Sequence, residues 1–386
     1  MNINFQTQTG TLQLRRWPLN QPNTSLQAWD AADELLITHA IEAINQFAAT
    51  QQRQPKVLII NDSFGALSCA LADCQQIQVN DSFLAEQGTL YNRQQNNLST
   101  QNLNQITSLD TYPDADIVLL KLPSNHSYLQ YILQQLAKVV NDKTVILSSA
   151  KAKDITRNVM TMFEQSLGPS SASLTVKKCR LITSQFSNKP QQAKTVTFPI
   201  VWPLEGTDFT VVNHANVFSR EKLDLGARVL LQHIPQMQDH YTVIDLGCGN
   251  GVLGLKLLQQ DKQIKLILCD ESYMAIDSAR QTIANNLPQQ LAQCQFIIDD
   301  CLQKQTDKSA DYIICNPPFH QQQAVTRHIA NQMFTDAKRV LKQGGHFRIV
   351  ANRHLNYAEV LQRLFGNCRQ LAADPKFVIL EAIKRS

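Results

Sequence analysis

Short apolar runs alternate with longer amphipathic segments through most of the chain. In the second half, the runs rich in Ile, Val and Leu predict buried strands, and apolar residues spaced three or four apart predict helices between them. The predicted strands lie at about 241–246, 264–270, 294–298, 311–315 and 345–351. The predicted helices lie near 219–232, 252–260, 273–287, 324–342 and 356–365. Because strands and helices alternate, we expect a parallel α/β sheet.

The first half repeats this plan. Three pairs of segments correspond in order and spacing: 56–67 with 242–253, 80–83 with 270–273, and 116–123 with 311–318. In the first pair, both copies show a strand, a tight turn and the beginning of a helix. Features that stay in register over so much of the chain indicate a duplication, so the sequence predicts two tandem Rossmann-like α/β domains.

The two copies differ at polar and glycine positions, whereas the apolar strand positions remain. The second copy has Asp245, Gly247, Gly249, Asp270 and Asn316 where the first has Ile59, Asn61, Ser63, Asn80 and Lys121. Each residue lost from the first copy is of a type that contacts ligands. We therefore expect the first domain to be degenerate and the second to carry the chemistry.

Each half is expected to end in an antiparallel strand pair. The predicted pairs are 176–186 with 195–202, and 368–373 with 377–382. In each pair, a turn rich in Pro, Asn or Asp separates the two apolar runs. This places the domain boundary near 204, with a first domain at 1–204 and a second at 205–386.

Composition narrows the classes of function. Hydrophobic residues make up 43% of the chain and charged residues 18%, which suffices for two buried cores without an obligatory protein partner. No run reaches the roughly 18 apolar residues of a membrane span, and residues 1–16 lack the core of a signal peptide. We expect a cytoplasmic protein that does not contact membranes. The nine cysteines include no CxxC pair, which predicts reduced thiols and neither a disulfide framework nor a metal site.

Basic residues are concentrated between the two copies. Residues 165–204 contain no acid and five basic side chains: Lys177, Lys178, Arg180, Lys189 and Lys194. Such a stretch predicts a surface that contacts RNA phosphates, because neutralising phosphates releases counterions. An equally simple interpretation is a solvated hairpin that happens to be basic.

A glycine-rich turn follows the first strand of the second copy. It reads Asp245-Leu246-Gly247-Cys248-Gly249-Asn250-Gly251 and leads into a helix. Glycines let the backbone approach a ligand closely, and the helix N-terminus offers free N–H groups. Val252 stands where the dinucleotide fingerprint of dehydrogenases requires glycine. The turn resembles the first motif of class I S-adenosylmethionine (SAM) methyltransferases, and a glycine-rich turn without a ligand is the structural alternative.

This resemblance implies a SAM site built from several segments. The residues that it assigns to SAM binding are Asp245, Gly247, Gly249, Gly251, Asp270, Asp300 and Phe218. Asp270 would accept hydrogen bonds from the two ribose hydroxyls, Asp300 would receive the adenine amino group, and Phe218 would pack over the SAM. The simpler alternatives are a solvated loop acid for Asp300 and, for Phe218, a hydrophobic staple before a Ser219 N-cap.

The segment Asn316-Pro317-Pro318-Phe319 ends the fourth strand of the second copy. Methyltransferases with a similar loop act on amines whose lone pair is delocalised into a ring or a carbonyl. The resemblance implies that the side-chain carbonyl of Asn316 and the backbone carbonyl of Pro317 accept the two N–H groups of such an amine. Pro317 and Pro318 stiffen the loop, and Phe319 offers a face on which an extruded base stacks. A rigid turn without function is the alternative.

Over its whole length the chain resembles the bacterial ribosomal RNA guanine-2-amino methyltransferases, which consist of two methyltransferase-like halves. Residues 217–220, 223–226 and 316–321 carry this resemblance, together with the degenerate first half. The family has a 16S and a 23S branch, and residues 26–34 and 349–355 are similar to the 23S branch. The resemblance implies SAM-dependent methylation of one guanine of 23S rRNA on its 2-amino group, without a metal. It also implies a first domain that binds RNA but no SAM.

Other functions remain open at this point. A 16S rRNA guanine methyltransferase belongs to the sister branch, and N-methyltransferases of release-factor glutamine or DNA adenine use similar loops. Most glutamine enzymes, however, carry Tyr at the position of Phe319 and have a helical N-terminal domain. A non-catalytic RNA-binding module is an alternative from a different class. The intact ligand-type residues of the second copy argue against it.

Overall fold

The computed structural model describes residues 2–8, 10–19, 26–187, 196–318 and 324–385. The chain divides into two units, Met1–Thr197 and Phe198–Ser386. Among the described residues, no helix combines the length and the apolar character that a membrane crossing requires.

In the first unit, a hairpin and a long helix precede an alternation of strands and helices. Its strands are β1 Asn4–Thr7, β2 Gly10–Gln13, β3 Lys56–Ile60, β4 Gln75–Asn80, β5 Leu103–Thr107, β6 Ile117–Lys121, β7 Val145–Lys151, β8 Ser170–Ala172 and β9 Cys179–Ser184. Its helices are α1 Ala31–Gln51, α2 Ala66–Ala70, α3 Phe83–Gln95, α4 His126–Leu136 and α5 Arg157–Ser166.

The second unit follows the same plan, again with a hairpin and a helix before the main sheet. Its strands are β10 Ile200–Pro203, β11 Thr210–Asn213, β12 Thr242–Leu246, β13 Lys265–Asp270, β14 Cys294–Ile298, β15 Ala310–Cys315, β16 Leu341–Asn352, β17 Arg369–Ala373 and β18 Phe377–Ile383. Its helices are α6 Leu225–Leu231, α7 Val252–Leu258, α8 Tyr273–Asn286, α9 Ala324–Val340 and α10 Tyr357–Phe365.

Each unit contains a seven-stranded sheet, and the two sheets share one topology. The strand order is β5-β4-β3-β6-β7-β9-β8 in the first unit and β14-β13-β12-β15-β16-β18-β17 in the second. In both sheets five strands run parallel, and the last two in the chain pair antiparallel at one edge. The prediction of two tandem Rossmann-like α/β domains is confirmed, and the shared order supports a duplication.

The central strands of the second sheet are buried on both faces. In β12, Val243 and Ile244 are fully buried but belong to different apolar clusters. Ile244 shares its cluster with Phe334, whereas Val243 shares the other with Leu253. Helices therefore cover both sides of the sheet, which explains why its strands have near-continuous apolar sequences.

Most predicted elements of the second half agree with the structure. The strands β12 to β15 begin and end within one residue of the predicted bounds, and α7 to α10 within two. The expected C-terminal pair is present as β17 and β18, which are antiparallel. The helix expected over 219–232 is shorter and begins only at Leu225, because Asp224 is its N-cap residue.

The strand pair predicted at the end of the first half is wrong. Strand β9 lies between β7 and the short β8, and it pairs antiparallel with both. Strand β10 pairs with β11 instead, as part of the second unit. The division of the chain therefore falls between Thr197 and Phe198, slightly before the expected position near 204.

An ion cluster holds the start of α1 against the end of β6 in the first unit. Asp30 caps α1 by accepting the N–H groups of Ala32 and Asp33, and Asp33 accepts the N–H of Asp30 in return. The Lys121 ammonium donates to Asp30 Oδ1 at 2.8 Å and to Asp33 Oδ1 at 2.5 Å. Burial opposes the charge on Lys121, but the two carboxylates outweigh it and raise the pKa of the ammonium.

We expect Lys121→Met to destabilise the protein by about 3–5 kcal/mol, because it leaves the buried Asp33 without its cation. The matched control is Lys177→Met, which removes a solvent-exposed pair with Glu34 on the same helix. Exposed pairs contribute little, so the control is expected to stay near wild type. Urea denaturation of the full chain, followed by tryptophan fluorescence, measures both. Equal losses for the two variants would contradict the role of the buried cluster.

Candidate active site

The glycine turn and the segment that begins at Asn316 meet at the point where the strand order of the second sheet reverses. From β12 the chain proceeds to β13 and β14 on one side, and it then returns to place β15 on the other side of β12. Leu246, the last residue of β12, pairs with Cys315, the last residue of β15. The glycine turn and the segment that begins at Asn316 thus leave the sheet side by side. Ligands of open α/β sheets bind at such a switch point.

The glycines of the turn are needed for different structural reasons. Gly247, Gly249 and Gly251 all have positive φ, at 71°, 53° and 77°. A Cβ at Gly251 would lie 2.8 Å from the Cα of Ala279 in α8, so this glycine permits close helix packing. A Cβ at Gly249 would meet no described atom within 4 Å. Among the described residues, Gly249 therefore borders open space at its side-chain position.

Asp245 is fully buried beneath the glycine turn. Its Oδ2 accepts a hydrogen bond from the N–H of Gly254 at 3.1 Å, and Gly254 lies in the first turns of α7. Its Oδ1 accepts none from the residues that the structure describes. Burial raises the pKa of this carboxyl to about 7, although the Gly254 N–H acts in the opposite direction. A buried acceptor without a partner is rare in native proteins and fits a ligand donor.

Asp270 stands at the end of β13 and ties this strand to the glycine turn. Its Oδ2 accepts the N–H of Gly249 at 3.0 Å, and its Oδ1 accepts the N–H of Ser272 at 3.0 Å. The carboxylate is half-buried. These contacts place the predicted ribose acid beside the turn that faces open space.

The two acids after β14 differ in their partners. The carboxylate of Asp299 accepts backbone N–H groups of its own turn, from Asp300 and Lys304. The carboxylate of Asp300 instead accepts from the side-chain amides of Gln303 and Gln332, both at 2.8 Å. Burial raises the pKa of Asp300 to about 6. Asp300 is 4% exposed, so it is not the solvated acid of the simpler interpretation.

Phe218 lies in the segment between β11 and α6, and its side chain is 49% exposed. The backbone of Ser219 has a φ of 54°, and α6 begins only after Asp224. Ser219 is therefore not a helix cap, and the staple alternative for Phe218 is wrong. The end of β11, directly before this segment, reaches the glycine turn, since Asn250 donates to Asn213 at 2.9 Å.

Asn316 directly follows β15, and the two polar atoms of its side-chain amide differ in their hydrogen bonds. Its Nδ2 donates to Asp224 Oδ2 at 3.1 Å. Its Oδ1 is buried and accepts no hydrogen bond from any residue of the described ranges. Pro317 is buried and Pro318 is half-buried, whereas Phe319 lies outside the described residues. Asn316 thus brings a side-chain oxygen to the switch point that has no partner among the described residues.

The corresponding positions of the first unit keep the packing residues and lose the rest. Gly65, the counterpart of Gly251, remains because a Cβ there would lie 2.8 Å from the Cα of Thr89. Asn61 replaces Gly247 and keeps the positive φ, at 65°, which Asn tolerates better than most residues. At the counterpart of Asn316, Lys121 is bound by two carboxylates. This unit presents no free acceptor at that position.

Sequence reasoning missed the roles of two side chains in this site. Asp224 lies 92 residues from Asn316, and Gln332 lies 32 residues from Asp300. An Asp before a helical pattern is a recognisable N-cap signal, but nothing in the sequence shows what its second contact is. Gln332 is one of several polar residues of α9, and nothing in the sequence distinguishes it from the others.

No group of three or more potential metal-ligating side chains occurs in the part of the chain that the structure describes. Burial raises the pKa of the Cys248 thiol in the glycine turn well above its usual value. The thiol is therefore neutral, as expected for a residue that fills the turn.

Models of known protein families match both units of the chain. The RLMG N-terminal domain matches residues 2–188, and the methyltransferase small domain matches residues 208–381. The chain is 45% identical over 389 residues to ribosomal RNA large subunit methyltransferase G of Pseudoalteromonas translucida, covering 100% of this chain and 99% of that protein. It is 45% identical to the protein of the same name from Colwellia psychrerythraea, covering 96% and 97%.

A solved structure supports the fold over the whole chain. The T. thermophilus 16S rRNA N2 G1207 methyltransferase RsmC, in complex with AdoMet and guanosine, superposes with a TM-score of 0.73. The identity is 19%, and the match covers 99% of this chain and 97% of that one. The fold and the two loops define a two-domain α/β methyltransferase. The chain belongs to the ribosomal RNA large subunit methyltransferase G family.

We expect Gly251→Ala to destabilise the protein more than Gly249→Ala. Both substitutions force alanine into a left-handed conformation, at a cost of about 1–2 kcal/mol. Only the Cβ at position 251 also collides with Ala279, which adds about 1–3 kcal/mol. Thermal unfolding of the two purified variants measures the difference. A Gly249→Ala variant as unstable as Gly251→Ala would contradict the assignment of separate roles.

Proposed function

We propose that this protein transfers a methyl group from SAM to the exocyclic 2-amino group of one guanine in 23S rRNA. The observation that carries the proposal is the buried Oδ1 of Asn316, which lies at the sheet switch point beside the glycine turn and has no partner among the described residues. The names of the two relatives support the large subunit as the source of the substrate. Since bacterial ribosomal RNA lies in the cytoplasm, we propose the same location for the protein.

The residues around the glycine turn fit SAM. Gly249 leaves space for a ligand against the backbone, and Asp270 offers a carboxylate at the end of the next strand. The unpartnered Oδ1 of Asp245 offers a further acceptor. We assign these residues, with Gly247, Gly251, Asp300 and Phe218, to SAM binding. When bound, SAM supplies a methyl group on a positively charged sulfur.

The 2-amino group of guanine is a weak nucleophile because its lone pair is delocalised into the ring. Asn316 Oδ1 and the Pro317 carbonyl accept its two N–H groups, which concentrates the lone pair on nitrogen and fixes its direction. Orientation of this kind accounts for much of the rate enhancement in a transfer between two bound reactants. No base is needed before transfer, because the methylated amine is positively charged and loses a proton readily.

The two prolines keep both acceptors in place, since each fixes its own φ angle. We propose that Phe319 stacks on the extruded guanine, a contact worth about 1–3 kcal/mol in comparable proteins. Phe at this position, where most glutamine enzymes carry Tyr, argues against a release-factor glutamine as the substrate. Identity to two proteins named for the large subunit argues against a 16S substrate.

We propose that the first unit contacts RNA and binds no SAM. Its counterparts of the SAM residues are Ile59, Asn61, Ser63 and Asn80, which offer neither the flexible turn nor the ribose acid. In the basic stretch, the Lys177 side chain is 70% exposed. Arg180, in contrast, donates to the carbonyls of Ala172 and Ser173 and stabilises the hairpin. Lys189 and Lys194 lie outside the described residues.

We expect Asn316→Ala to lower turnover by about two to three orders of magnitude while leaving SAM affinity near that of the wild type, because it removes an acceptor used only by the substrate amine. The assay uses 23S rRNA from a strain that lacks the gene. Mass mapping of the product identifies the modified guanine, with 16S rRNA as the comparison substrate. Methylation of 16S rRNA alone, or full turnover by the variant, would contradict the proposal.

We expect isothermal titration to show one SAM per chain and Asp270→Ala to weaken SAM binding by about 10²-fold, because two charge-assisted hydrogen bonds are lost. Glu359→Ala is the control, since it removes an exposed acid from α10. Two equivalents of SAM per chain would show that the first unit binds it as well. Unchanged affinity in Asp270→Ala would remove the ribose role.

A further inference from the structure

Asp224 links the start of α6 to the substrate loop. Its Oδ2 accepts the N–H of Ala227 at 2.9 Å, which caps the helix. The same oxygen accepts the Nδ2 of Asn316 at 3.1 Å. The helix cap thus holds the side chain of Asp224 in one place, and this side chain in turn contacts the proposed acceptor residue.

The contact with Asp224 determines which end of the Asn316 amide points away from Asp224. A carboxylate accepts hydrogen bonds and donates none, so the NH₂ end of the amide must point to Asp224. The carbonyl oxygen then points the other way, and this is the buried atom that lacks a described partner. We propose that Asp224 is a positioning residue that fixes Asn316 with its carbonyl oxygen toward the substrate amine. This inference rests on the proposed function.

The amide needs such a constraint. Its oxygen and nitrogen ends are nearly equal in size, so rotation by 180° exchanges them at little steric cost. In the rotated state the NH₂ group would face the N–H groups of guanine, and two donors would oppose each other. Asp224 makes that state unfavourable, because the amide oxygen would then face a carboxylate.

The first unit repeats this arrangement with different chemistry. Asp30 caps α1, the helix that precedes the first strand of that sheet, just as Asp224 caps α6. Asp30 also contacts Lys121, the last residue of β6 and the counterpart of Asn316, at 2.8 Å. An acidic cap that reaches this position is therefore a feature of both copies. Only in the second copy does it leave an acceptor free.

The decisive variant is Asp224→Ser. Serine caps helices as well as aspartate does, but its shorter side chain leaves Asn316 without a partner. We expect kcat to fall by about 10- to 100-fold, with SAM affinity and melting temperature near wild type. Asp224→Asn is the rescue variant. The Ala227 N–H selects its carbonyl oxygen, which then accepts from Asn316 as well, so most of kcat is expected to remain.

A double-mutant cycle separates positioning from a general structural effect. If Asp224 acts through Asn316, then Asp224→Ser lowers kcat by no more than about twofold when Asn316→Ala is already present. Wild-type kcat in Asp224→Ser, or the same loss in both backgrounds, would overturn the inference while the proposed function stands. If Asn316→Ala itself keeps full turnover, the acceptor role in the proposed function is lost first.

Discussion

The site depends on the pairing of β12 with β15. These strands are hydrogen-bonded neighbours, yet the segments that follow them diverge, because the sheet is extended in opposite directions from this pair. Their last residues are level with each other, so a glycine turn and an amide side chain are presented at one edge. A shift of β12 by one residue would turn the buried Asp245 toward the opposite face of the sheet.

The two copies of the fold distinguish features that both units retain from residues that differ between them. Both units keep the strand order, a left-handed glycine where two helices approach, and an acidic cap on the helix before the first strand. These features serve packing and are retained in both. Among the residues that differ, Gly249 of the second unit has no described atom near its side-chain position, and one oxygen each of Asp245 and Asn316 has no described partner.

Much of the second unit could be predicted from its sequence, because buried parallel strands have apolar runs with clear ends. The two loops were also predictable, since each directly follows such a run. Strand β8 was not, because Ser170–Ala172 contains little apolar character and is defined by pairing with β9. The contact of Asp224 with Asn316 was missed for a related reason. Contacts between residues far apart in the chain follow from the folded geometry alone.

The ion cluster of the first unit restricts which residues position 121 can accept. Replacing Lys121 with asparagine would restore the amide, but it would also leave Asp30 and Asp33 facing each other without a cation. At least one of these acids would have to change as well, and Asp30 is also the helix cap. Asparagine at position 121 would thus give a less stable protein unless one of the acids changed with it. The identity of residue 121 is therefore set by the stability of the first unit, independently of any ligand.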